Sequence, residues 1–246
     1  MTTQPTEAIL TRGLTKSFDE WPVLWNLDLS VPWGQSLVLF GENGTGKTTL
    51  LRILATHVWA DHGTVAVAGH NLRTNPEYAR RKIGVVGHRS LLYDDLTCRE
   101  NLVYYSRLFG LKNHKPRVEE VLETVKLRDS EDFRVRTFSN GMRKRASIAR
   151  AILHRPDVLL LDEPETGLDR ESVSILGELL SEWTDSGRSV VMTTHDLDLG
   201  MNWGTRVGVL RGGKINFPDE KLAAWGSKSH NNQIRQAVTD SLGATG

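Results

Sequence analysis

The sequence holds a single cysteine, Cys98, among 246 residues. One thiol cannot close an intramolecular disulfide, which excludes a disulfide-stapled scaffold and fits a reducing compartment. Charge of either sign is not in excess: 31 Lys and Arg against 30 Asp and Glu leave a formal net charge of +1. Nothing in that balance points to non-specific nucleic-acid binding. No apolar run approaches the about 20 residues needed to cross a bilayer. The opening "MTTQPTEAIL" lacks the basic start and apolar core of a signal peptide. Any membrane role is therefore expected to come through a partner. Repeats with a period of roughly 20–50 residues are also missing, which excludes solenoids and propellers.

What is present is a composition of 39% hydrophobic and 25% charged residues, enough for a sizeable core. The length suits one large α/β domain or two small ones. "AILTRGLTKSF", "VLWNLDLSV", "SLVLFG" and "TVAVAG" carry β-branched and apolar residues between turn signals and read as strands. From Thr97 the pattern changes. "TCRENLVYYSRLFG" places Leu102, Tyr105 and Leu108 at helical spacing, and "KPRVEEVLETVKL" does the same with Val118, Val121, Leu122 and Val125. A third helix is expected from near Gly141 to before Pro156. "DVLLLDEP" and "RSVVMTTH" read as buried strands, and "TRVGVLRGGKI" as two short strands around a Gly-Gly turn. The expectation is one α/β domain over 1–226 with a mostly helical insertion at about 88–155. The remaining 227–246, rich in Ser, Asn, Gln and Gly, reads as a mobile tail or weak helix.

The strongest local signal is "GENGTGKTT". It fits G-x-x-x-x-G-K-[ST] and sits between the strand "SLVLF" and the helix "TTLLRIL". Gly41, Gly44 and Gly46 permit a loop whose backbone N–H groups converge on an anion. Gly41, Glu42, Asn43, Gly44, Thr45, Gly46, Lys47, Thr48 and Thr49 are the expected phosphate cradle. Lys47 is placed for the outer phosphates and the Thr48 hydroxyl for Mg²⁺, with the following helix aiming its N-terminus at the charge.

A second acidic element follows. "DVLLLDEP" ends a strand in two carboxylates: Asp162 is expected to hold the metal, and Glu163 to orient or deprotonate the attacking water. An acidic strand end that merely faces solvent is the bland reading of the pair alone; the upstream phosphate loop favours the catalytic one. "FSNGMRKRASIARAIL" sets Ser139 and Gly141 at a helix start, where a cap and an anion site coincide. The "RKR" at 143–145 reads as a solvated helix face, with a contact to a membrane partner as the alternative.

In order, "GENGTGKTT", "FSNGM", "LLLDEP", "TGLD" and "TTH" make the chain resemble the ATP-binding subunit of an ABC transporter, over nearly its whole length to about Gly213. The resemblance implies a P-loop NTPase core with an N-terminal antiparallel β-subdomain and a helical insertion. It implies ATP and Mg²⁺ as ligands, a head-to-tail pair of nucleotide-binding domains, integral membrane subunits as partners and a peripheral place on the cytoplasmic face of the membrane. On that resemblance Ser139 and Gly141 touch the nucleotide of the second copy, Asp169 lies across the interface, His195 contacts the γ-phosphate and Phe18 stacks on adenine. The chain departs from the family's L-S-G-G-Q: Phe138, Asn140 and Met142 replace Leu, the first Gly and Gln.

Within the family, "GHRSLLYDDLTCRENLVYYSRLFGL" is most similar to the haem-exporter ATPase of cytochrome c maturation, through a Gly-His pair where a loop glutamine is usual. His88 accordingly stands where that glutamine would meet Mg²⁺ or water. A drug- or polysaccharide-type exporter ATPase and a soluble iron–sulfur assembly ATPase are the alternatives.

Overall fold

The computed structural model describes residues 6–217 and 234–240. Two sheets define the architecture. Strands β1 (Glu7–Phe18), β2 (Trp21–Pro32), β4 (His62–Val67) and β5 (His70–Asn71) make an antiparallel sheet in the order β2-β1-β4-β5. Strands β3 (Ser36–Phe40), β6 (Ile83–Val86), β7 (Val158–Asp162), β8 (Ser189–Thr193), β9 (Arg206–Arg211) and β10 (Lys214–Asn216) make the second, in the order β10-β9-β3-β8-β7-β6. It is parallel except for β10, which returns on β9 through the Gly212-Gly213 turn.

The central strands are apolar throughout because both of their faces are covered. Side chains alternate between two cores. Leu37, Leu39, Val158, Leu160 and Val191 join the core against the antiparallel sheet and α1 (Lys47–Leu54). Val38, Phe40, Leu159, Leu161, Val190 and Met192 join the core on the helical side. Leu161 is 1% exposed, so its truncation to Ala would cost about 2–5 kcal/mol.

Between β6 and β7 lies the helical segment: α3 (Cys98–Leu108), α4 (His114–Thr124) and α5 (Asn140–Ile152). A capping box starts α3, since Thr97 Oγ1 accepts the Glu100 N–H at 3.1 Å and Glu100 Oε2 accepts the Thr97 N–H at 2.8 Å. Val118, Val121, Leu122 and Val125 are buried as their spacing predicts. On α3 the spacing holds for Leu102 and, partly, for Tyr105, but Leu108 is exposed. It is the last residue of α3, where the helix ends at Phe109 and the chain turns away.

Three helices are not read from the sequence: α2 (Pro76–Lys82), α6 (Arg170–Asp185) and α7 (Leu197–Trp203). On α6 the signal exists, since Ile175, Leu176, Leu179, Leu180 and Trp183 are spaced as one face and all are buried. The "RKR" segment is a correction. Arg145 is buried and donates to the Val125 and Lys126 carbonyls, and Arg143 pairs with Asp94 at 2.6 Å. Their long side chains reach back over neighbouring loops, where carbonyls need donors. In the tail, 234–240 are helical, with Ile234 and Val238 fully buried in the helical-side core. The expected boundary at 226 lies outside the described residues.

Candidate nucleotide site

The phosphate loop leaves β3 and enters α1 through Gly46, whose φ of 105° is left-handed. A Cβ there would lie 2.9 Å from Val23 Cγ1, so the loop needs glycine both for its conformation and for its contact with β2. Lys47 is 6% exposed, and its Nζ donates to the Gly41 carbonyl at 2.6 Å and the Glu42 carbonyl at 3.0 Å. Thr45 Oγ1 donates to the same Glu42 carbonyl at 2.9 Å. Burial pulls the Lys47 pKa below its ordinary value, against the opposing charges of Glu163 and Asp162.

A cleft of about 380 Å³ brings together Asn43, Gly44, Gly46, Lys47, Thr48 and Thr49 with Phe18, His88 and Glu163. Gly41, Glu42 and Thr45 do not line it but shape the loop through the bonds just described. Val23 completes the lining and is not anticipated by sequence reasoning. Phe18 is 45% exposed, with Lys16 Nζ 5.2 Å from its ring centroid. An aromatic face is thus offered at the mouth of the cleft.

Asp162 is 8% exposed, and its carboxylate is ringed by three polar groups. Thr193 Oγ1 donates to Oδ1 at 2.8 Å, Thr48 Oγ1 donates to the same oxygen at 3.3 Å, and His88 Nε2 lies 3.4 Å from Oδ2. A buried carboxylate beside the Thr48 hydroxyl, next to a cleft with room for phosphate oxygens and water, is a donor set that fits Mg²⁺. His88, read from the end of β6, lines the cleft beside Asp162.

Glu163 has φ of +47°, a left-handed backbone that costs a non-glycine residue about 1–3 kcal/mol. Its N–H is held by Thr193, through the carbonyl at 3.2 Å and the hydroxyl at 3.1 Å. The turn aims the carboxylate at His195, whose Nε2 lies 2.5 Å from Glu163 Oε1. Thr193 thus serves both acids. The "TTH" motif contained it, but nothing in the sequence told which strand it would face. Lys144 Nζ also reaches the Glu163 carbonyl at 3.4 Å.

Three expected residues lie elsewhere. Ser139 caps α5, its Oγ accepting the Met142 N–H at 3.2 Å. Asp169 caps α6, its Oδ1 accepting the Ser172 N–H at 2.8 Å; that bond, before all else, holds its carboxyl below the usual range. A Cβ on Gly141 would meet Asp169 Oδ2 at 3.1 Å, so Gly141, at the start of α5, lies directly against Asp169. None of the three lines the chain's own cleft.

The chain is similar to several known proteins. The family model described as ABC transporter matches residues 24–166, more than half of the chain. The daunorubicin/doxorubicin resistance ATP-binding protein of Streptomyces peucetius is 39% identical over 217 residues, covering 87% of this chain and 66% of that protein. The ABC transporter ATP-binding protein NatA of Bacillus subtilis is 37% identical, covering 70% and 72%. The Nod factor export ATP-binding protein I of Burkholderia thailandensis is 38% identical, covering 74% and 61%. The chain thus spans about two thirds of the length of these relatives. Among solved structures, an ATP-binding subunit of an ABC transporter superposes with a TM-score of 0.82 at 23% identity, covering 94% of this chain and 99% of that one. A dimeric ATP-binding cassette in a post-hydrolysis state with ADP and Pi gives 0.76 at 25% identity, covering 85% and 96%. From its phosphate loop, its paired strand-end acids and the model matched across them, the chain belongs to the ABC transporter family of ATP-binding proteins.

Proposed function

We infer that the chain binds and hydrolyses ATP as one half of a head-to-tail pair of identical copies and drives integral membrane subunits of an exporter from the cytoplasmic face of the membrane. The observation that carries this reading is a cleft beside the phosphate loop lined by Lys47, Thr48 and Glu163, with Asp162 bonded to Thr48 and His195 paired to Glu163. Loop N–H groups and the α1 N-terminus bind the phosphates, with Lys47 turning from the loop carbonyls to the outer ones. Bound Mg²⁺, held by Thr48 and Asp162, would neutralise charge on the β- and γ-phosphate oxygens. Phe18 stacks on the base. Glu163 orients a water and accepts its proton, and His195 fixes the Glu163 carboxylate and the γ-phosphate side of the cleft. Ser139, Gly141 and Asp169 serve the second copy's nucleotide; that a similar cassette is dimeric with ADP and Pi bound supports a paired arrangement.

For the cargo, the names of the drug-resistance and Nod factor relatives favour an exporter of that kind. The haem-export reading rests on the stretch from Gly87 to Leu111, with its Gly-His pair, and on the compact size of the domain; neither it nor the iron–sulfur assembly reading has a relative among those described. The exposed side chains Leu91, Tyr93 and Tyr104, which follow His88 in the chain, are the face we assign to the membrane subunits.

The test is phosphate release from MgATP by the purified chain as a function of protein concentration. Turnover per chain should rise with concentration as the composite sites assemble. A constant turnover over a range in which sedimentation shows monomer becoming dimer would overturn the paired mechanism.

A further inference from the structure

We propose that Glu165 is the positioning residue for His195, acting through the hydroxyl of Thr194. This rests on the ATPase reading above and adds to it a residue outside the nucleotide cleft.

Strand β8 ends at Thr193 and Thr194 follows it; both side chains are fully buried. Thr193 serves Asp162 and Glu163. Thr194 faces the other way: its hydroxyl donates to a Glu165 carboxylate oxygen and accepts the Asp196 N–H at 3.0 Å. The two residues flanking His195 are therefore tied to one hydroxyl, and that hydroxyl is oriented by one carboxylate. With Asp162 paired to Thr193 and Glu163 to His195, three acids of "DEPE" lie against the three residues of "TTH". Such a ladder fixes where the imidazole can sit, and a misplacement of about 1 Å is enough to cost on the order of 100-fold in rate.

The surroundings enclose the Glu165 carboxylate. Its second oxygen is buried and has no hydrogen-bond partner among the described residues. An orphaned carboxylate oxygen is costly unless a cation is near. The half-buried Lys144 supplies one. Among the charges that oppose the effect of its burial, Glu165 is the foremost, ahead of Asp162 and Glu163. Lys144 stands on α5, the helix whose N-terminus carries Ser139.

A purely structural Glu165 would stabilise its turn, in which the Leu168 N–H binds the Glu165 carbonyl at 3.0 Å, without any special link to His195. A double-mutant cycle separates the two roles. The kcat and KM for MgATP should be measured for the full chain carrying Glu165→Ala, Glu165→Gln and Thr194→Val, each alone and combined with His195→Ala. The expected result is a kcat lowered on the order of 10- to 100-fold by Glu165→Ala, with KM changed less than about threefold. Glu165→Gln, which keeps an acceptor for Thr194, should recover most of the rate. In the His195→Ala background Glu165→Ala should have almost no further effect. Should Glu165→Ala fail to fold, Thr194→Val takes its place with the same expectation. Equal losses in both backgrounds, or an unchanged kcat in Glu165→Ala and Thr194→Val, would overturn the proposal. A wild-type chain without turnover, or a His195→Ala chain at full rate, would overturn the reading beneath it as well.

Discussion

His195 Nε2 lies 2.5 Å from Glu163 Oε1, and Glu163 occupies a left-handed backbone conformation that presents its carboxylate to that ring. In the proposed mechanism this carboxylate orients the reacting water. Glu163→Gln keeps the shape and an acceptor but removes the base, so turnover should fall by about 10²–10⁴. ATP should then hold the chain as a dimer. Phosphate release and ATP-dependent sedimentation would be read together; a variant at wild-type rate removes Glu163 from this role.

Lys47 belongs to its own cleft, whereas Ser139 sits outside it on α5. Lys47→Ala should abolish tight ATP binding, and Ser139→Ala should leave binding to the monomer intact while lowering hydrolysis. Loss of the α5 cap adds about 1 kcal/mol of destabilisation, so folding is checked by circular dichroism. Mixing the two variants restores one intact composite site per heterodimer, and phosphate release should reappear. Continued inactivity in mixtures shown to contain heterodimers would contradict the head-to-tail pairing.

His88 Nε2 faces Asp162 Oδ2 at 3.4 Å, at the end of β6 where the helical segment begins. His88→Ala should lower turnover measured with the membrane subunits more than it lowers ATP affinity. His88→Gln, with one acceptor and one donor on its amide, should retain more activity than the alanine variant. Wild-type behaviour of His88→Ala in both assays would leave His88 as a packing residue.

His154 is a second informative histidine, remote from the cleft. Its Nε2 lies 3.0 Å from the Ile83 carbonyl and its ring stacks on Phe109 at 4.1 Å. Burial pushes its pKa down to about 4, with Arg150 and Arg117 adding to the effect. The unfolded chain binds this proton near pH 6.5 and the folded chain does not. Stability from this group is therefore complete above pH 6.5 and is lost progressively as pH falls toward 4, by roughly 3 kcal/mol in all. Urea unfolding at pH 7 and pH 5 should show wild type losing more stability than His154→Leu. Equal losses would place the His154 pKa near its ordinary value.

The sequence by itself determined whatever is written in contiguous residues. The loop from Gly41 to Thr49, the strand-end acids Asp162 and Glu163, the cap at Ser139 and the helices at 98–108 and 114–124 depend on local periodicity and on glycine at fixed places. These are short-range effects, so they were legible. The family resemblance likewise followed from the order of such motifs.

Tertiary structure decided which motifs face each other. Parallel pairing of β7 with β8 sets Asp162 opposite Thr193, and only that register turns "DEPE" and "TTH" into one hydrogen-bonded set. The same packing takes Arg145 and Lys144 from an apparently solvated helix face to buried carbonyls, and seats Ile234 and Val238 in the core. None of this is local. Parallel strands are joined by crossovers that carry whole helices, and a buried side chain takes its partner from whichever element closes over it. The residues were readable one at a time, but their partners followed from how the two sheets and the helices packed.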